Sequence, residues 1–143
     1  MNWSHMIRTK TIRQTVTFKA DPHEVYEALM DSDKHSKFTD SKAIISRITG
    51  GEFSVYDGAI NGINLELVKD NKIVQSWRSE EDEWPKGHYS KATFFLEKNT
   101  TGTLLKFVQT GVPEAAYDSI KDGWREYYWK PMRDMLEIRK KVS

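Results

Sequence analysis

Residues 118–139 read DSIKDGWREYYWKPMRDMLEIR, a string whose period sets the architecture around it. Ile120, Trp124, Tyr127 and Tyr128, Pro131, Met135 and Ile138 recur at steps of three and four. That is the period of a helix with one apolar stripe. From Asp118 to Arg139 it reaches roughly 33 Å at 1.5 Å per residue. Pro131 has no N–H to donate and its ring crowds the carbonyl four residues back, so a kink or loosened turn is predicted just before it. Gly123 weakens the first turns but admits a close backbone. Trp129 and Met132 fall opposite the stripe and are expected at the surface, which leaves the chain open to homodimer formation as well as to life as a monomer.

A helix with a single apolar stripe needs an apolar face to lie on, and the upstream sequence supplies a sheet. From Ala43 to Gly111 the period stays near two. Ile44, Ile45 and Ile48 precede the hairpin signal Gly50-Gly51, and Phe53 and Val55 precede Asp57-Gly58. Ile60–Val68 follows, with Gly62 marking a bulge or a close contact. Lys69–Lys72 turns the chain into Ile73–Ser79, and Tyr89–Glu97 and Thr103–Gly111 pair about Asn99–Gly102. Further upstream, Ile12, Gln14, Val16 and Phe18 alternate with polar residues, the mark of a half-buried strand. Asp21-Pro22-His23-Glu24 then opens a helix with a capping residue, a proline at the first position and a capping-box acid. A second helical turn is expected over Asp31–Thr39. The result is an α+β plan: six or seven mostly meander-connected antiparallel strands, two short helices after the first strand, and one long terminal helix.

Composition excludes several functions. The chain has 143 residues, 22 Lys and Arg against 21 Asp and Glu, and no cysteine. Disulfides, thiolate nucleophiles, iron–sulfur clusters and cysteine-ligated zinc are ruled out. A formal charge of +1 gives no overall field to attract nucleic acid. The apolar runs are far shorter than the roughly 20 residues that cross a bilayer, so no membrane insertion is expected, and no secretory leader is evident. A cytosolic location follows as the expectation. Aromatic residues nonetheless make up 12% of a chain whose mean hydropathy is −0.69.

Several strings carry a resemblance. Gly50-Gly51-Glu52-Phe53, Trp77-Arg78, Gly111-Val112-Pro113, and above all Trp84-Pro85-Lys86-Gly87-His88-Tyr89-Ser90 with Gly123-Trp124…Tyr127-Tyr128-Trp129 resemble the activators of heat-shock protein 90 ATPase in their C-terminal domain. The likeness runs from about Thr11 to Leu136. It implies the helix-grip fold of the START-like (SRPBCC, birch-pollen-allergen-like) superfamily, a curved sheet wrapped around the terminal helix. It also implies a co-chaperone whose partner is an Hsp90-type chaperone. Residues 1–10 are read as an N-terminal arm and residues 11–140 as a single domain.

Candidate sites follow from the aromatic residues. Phe53, Trp77, Phe94, Trp124 and Tyr128 should point inward, either filling the core or lining a cavity for a small apolar ligand. Glu81, Trp84, Lys86, His88 and Tyr89 lie in or beside the family string and are the candidates for partner binding, although local packing is the favoured reading of Trp84. His88 can tie its loop by a hydrogen bond or act as a base. The acidic run Glu80–Glu83 reads as a solvated loop or a site for a cation or basic partner. His5, His23, His35 and His88 lack metal-ligand spacing, and no nucleophile elbow or phosphate loop occurs, so no catalytic residue, metal or cofactor is assigned. Lys34, Lys37, Lys42, Lys121, Arg125, Lys130 and Arg133 read as dispersed cations, not a nucleic-acid face.

Overall fold

The computed structural model describes residues 7–142, with side chains described as far as Glu137. Residues 1–6 of the expected arm, His5 among them, and the side chain of Ile138 lie outside the described residues. Seven antiparallel strands form one sheet in the order β1-β7-β6-β5-β4-β3-β2. They are β1 (Thr9–Phe18), β2 (Ile44–Ile45), β3 (Glu52–Val55), β4 (Ile60–Val68), β5 (Lys72–Ser79), β6 (Ser90–Asn99) and β7 (Gly102–Pro113). Strands β2 to β7 form a continuous meander, and β1 closes the far side by pairing with β7. The pairing starts at Thr9 opposite Pro113, so Thr9 and Lys10 belong to the sheet and not to an arm.

Helices α1 (Pro22–Met30) and α2 (Ser32–Thr39) cross between β1 and β2. The capping box of α1 is formed by Asp21 and Glu24. The Asp31 carboxylate caps α2 by accepting from the Lys34 N–H. Gly62 marks a close approach: a Cβ there would lie 1.8 Å from the Ser76 carbonyl oxygen on β5. The β4 bulge falls two residues later, between Asn64 and Glu66. Buried Asn64 staples the turn over residues 46–51, donating to the carbonyls of Ser46 and Ile48.

The terminal helix is interrupted where Pro131 predicts. After a short turn at Glu114–Ala116 come α3 (Tyr117–Trp124), a π-turn over Arg125–Trp129, and α4 (Lys130–Val142). The Lys130 N–H reaches back five residues to the Arg125 carbonyl. The carbonyl that an ordinary helix would bond to residue 131 is that of Tyr127. Proline cannot serve it, and the Tyr56 hydroxyl donates to it instead at 2.8 Å.

The π-turn also corrects the predicted faces. One extra residue in the turn rotates the stripe, so Tyr128 and Trp129 both face inward and Tyr127 is turned out. Trp129 and Met132, expected at the surface, are buried, at 4% and 0% exposure, whereas Tyr127 is 61% exposed. The apolar helix surface suggested for a homodimer at Trp129 and Met132 therefore does not exist.

Candidate functional site

The inward rings of the sheet and of the terminal helix meet in one aromatic cluster. Trp124 is its hub, 4.4 Å from Phe107 between ring centroids, 4.6 Å from Tyr128, 5.5 Å from Trp77, 5.7 Å from Phe94, and stacked on Trp129. Two of its indole N–H groups find acceptors that the strand pattern carries inward: Trp124 donates to Gln109 and Trp129 to Gln14. Gln109 donates in turn to Ser90, whose hydroxyl donates to the Trp77 carbonyl. Among the described residues no buried side-chain nitrogen or oxygen lacks a partner. The polar residues in this core hold the large rings at fixed angles.

The structure brings Phe53, Trp77, Phe94, Trp124 and Tyr128 together around one interior void. It measures only about 10 Å³, about the space of one water molecule. The centre of the grip is thus filled by its own rings. A second cavity opens beside it, about 370 Å³, between the β3–β4 turn, β5 and α3. Tyr56, Ile60, Trp77, Ile120, Trp124, Tyr127 and Tyr128 give it apolar walls, and Ser79 and Ser119 add hydroxyls. No Asp, Glu, Lys, Arg or His lines it. Gly123 also lines it, and a Cβ there would meet only the Tyr127 ring, at 3.7 Å. The close backbone approach expected at Gly123 does not occur; the missing side chain leaves room in the pocket instead.

Two residues of this region escaped the sequence reading. Tyr56 sits in a turn with three successive left-handed residues, Tyr56, Asp57 and Gly58. Burial, with the neighbouring Tyr127, pushes its phenol up to about 12, so it stays a donor to the Tyr127 carbonyl. His35 is buried on α2. Its Nδ1 lies 3.1 Å from the Leu29 carbonyl, which can only accept, so Nδ1 carries the proton and Nε2 accepts from the Tyr128 hydroxyl at 3.0 Å. Burial pushes the His35 imidazole down to about 4. Its signal in the sequence is the pair His35 and Phe38, the only inward positions of a short polar helix.

The family string divides. Trp84 is buried, its ring 5.6 Å from Trp77 and its indole donating to the His88 carbonyl at 2.7 Å. It is a core residue and offers no surface to a partner. His88 Nε2 lies 2.7 Å from the Gly111 carbonyl, which ties the loop to β7. Tyr89 is 48% exposed, and Lys86 is exposed at the loop tip. Glu81 accepts from the hydroxyls of Ser79 and Ser119, while Asp82 and Glu83 face solvent. Arg78 hydrogen-bonds Glu80 and holds its carboxyl below the usual range. The cations expected to be dispersed are only partly so: Arg125, Lys130 and Arg133 converge with Arg13 along one groove. Among the described residues no three His, Asp or Glu side chains gather as a metal site.

Comparison with known proteins places this geometry. Residues 19–137 match the family model of the Activator of Hsp90 ATPase homolog 1-like proteins. An activator of 90 kDa heat shock protein ATPase homolog from Dictyostelium discoideum is 35% identical over 118 residues, 82% of this chain and 30% of the relative. The chain spans 30% to 39% of the length of the curated relatives it matches. Among solved structures, an HSP90 activator from Plasmodium falciparum superposes with a TM-score of 0.78 at 22% identity, covering 90% of this chain and 95% of that one. The Aha1 dimer from Colwellia psychrerythraea gives 0.75 at 18% identity, covering 92% and 98%. The two superpositions support the seven-stranded helix-grip fold.

Proposed function

The chain belongs to the Activator of Hsp90 ATPase homolog 1-like family, and on that ground we propose that it is a non-enzymatic, cytosolic binding module for an Hsp90-type chaperone. The observation that carries the reading is the family match across residues 19–137. Such a module accelerates the chaperone by binding its closed, ATPase-competent state better than its open state, because equal affinity for both would shift nothing. The contact surface we assign comprises Tyr89, Lys86 and the outward acids beside Glu81, carried on a loop that buried Trp84 and the His88 tie hold in one shape. A pre-shaped loop loses little freedom on docking.

The chaperone's ATPase rate, measured with and without a molar excess of this protein, tests the proposal. A rise in rate is expected, cut at least severalfold by Tyr89→Ala combined with Lys86→Glu. No change in rate and no binding at high micromolar concentration would sink it. Sedimentation velocity reads whether the chain is monomeric or, like the Colwellia relative, a dimer.

The outer pocket favours a second reading, a carrier or sensor of a small apolar ligand. About 370 Å³ with apolar walls is within the range of small-molecule sites. Native mass spectrometry of freshly purified protein should then show a bound mass that Gly123→Leu displaces. Purified wild type with no adduct, and no rise in melting temperature across a panel of neutral aromatic and lipid compounds, would exclude it.

A further inference from the structure

We propose that the groove along the open edge of β1 is an interaction surface for an acidic, extended segment of a partner protein. The groove measures about 670 Å³ and runs between residues 13–16 of β1 and residues 125–133 of the terminal helix. Its cations are Arg13, Arg125, Lys130 and Arg133, and its single carboxylate is Glu126. All five are exposed. Arg133 is engaged by Glu137 at 3.9 Å, but Arg13, Arg125 and Lys130 make no ion pair among the described residues. Just beyond one end, the ammonium groups of Lys10 and Lys121 both sit over the Tyr117 ring, at 4.8 and 5.4 Å. The chain as a whole carries only +1, so this field is local to one face.

The backbone says what shape of partner fits. β1 is the outer strand of the sheet, paired only with β7. The Thr17 carbonyl points away from β7 and accepts from Arg133. Backbone groups of alternate residues share a side, so those of Arg13 and Thr15 point the same way. An extended segment can therefore add to this edge through main-chain hydrogen bonds while its carboxylates meet the guanidinium forks. Residues 13–16 offer roughly 13 Å of edge, enough for about four residues of an incoming strand. A single-stranded nucleic acid is the poorer fit, because it relies on stacking and the one ring lining the groove, Trp129, is buried. The inference stands independently of whether the partner is a chaperone.

The probe is a fluorescein-labelled octapeptide of alternating Glu and Val, read by anisotropy, beside its Gln-for-Glu counterpart and an eight-nucleotide oligo-dT. The acidic peptide should bind, at least tenfold tighter than the Gln peptide and the oligonucleotide. Arg13→Glu with Arg125→Glu should weaken it at least tenfold, Lys130→Gln alone two- to threefold, and Lys91→Glu on strand β6 not at all. Circular dichroism checks that each variant is folded, and the amide signals of Arg13 and Thr15 should shift on titration of wild type. No binding of the acidic peptide, equal binding of oligo-dT, or loss with Lys91→Glu equal to that of the double variant would overturn the proposal.

Discussion

At the scale of single residues, two tyrosine hydroxyl contacts, one buried and one exposed, decide the local chemistry. His35 is neutral in the folded state with its imidazole at about 4, against an ordinary value of about 6.5. Between those values the unfolded chain binds the proton that the folded chain refuses, so stability falls as pH drops from about 6.5 and levels off below about 4. The shift bounds this loss at about 3 kcal/mol. Urea titrations of wild type across that window should show it. His35→Leu should start less stable, because the Tyr128 hydroxyl loses its acceptor, and should follow a flatter profile; an equally steep one would refute the assignment. Tyr56 acts one residue earlier in the same turn, on the Tyr127 carbonyl. Tyr56→Phe leaves the Tyr127 carbonyl to solvent and should cost about 1 kcal/mol.

At the scale of elements, the π-turn is the feature on which the core depends. Pro131 forbids the bond that a regular helix would make, and the widened turn carries both Tyr128 and Trp129 inward. Pro131→Ala restores an N–H that can serve the Tyr127 carbonyl, so Tyr56→Phe should cost less in that background than in wild type. A double-mutant cycle reads this as a coupling of roughly 0.5–1 kcal/mol; strict additivity would separate Tyr56 from the turn. On the sheet, Gly62→Ala forces a Cβ onto the Ser76 carbonyl, and a loss of about 3 kcal/mol or more is expected in denaturant midpoints. The strands, the capped first helix and the break before Pro131 were legible because each rests on local chemistry. The face of Trp129 was not, because a period of 3.6 cannot register one inserted residue. Likewise Gln14 and Gln109 sit at apolar positions of their strands for a reason visible only in three dimensions, the indole N–H each must satisfy.

At the scale of the whole molecule, the aromatic surplus of a polar chain resolves into a filled grip. The rings read as inward do converge, but they enclose space for little more than a water; the usable cavity lies to one side, opened by Gly123 and rimmed by Tyr127. The sequence could name the inward rings but not the volume between them, since packing depends on angles that spacing does not encode. The family string was legible as a unit, yet only the structure separates buried Trp84 from exposed Tyr89 and Lys86 within it. The convergence of Arg13 with Arg125, Lys130 and Arg133 was invisible for the same kind of reason, because it joins segments more than a hundred residues apart. As proposed, the module binds one chaperone state in preference to another. Calorimetric titration of this protein into an Hsp90-type chaperone, once without nucleotide and once locked closed by a non-hydrolysable ATP analogue, measures that preference directly. At least tenfold tighter binding to the closed state is expected; equal affinity for the two states, or no binding to either, would refute the proposal.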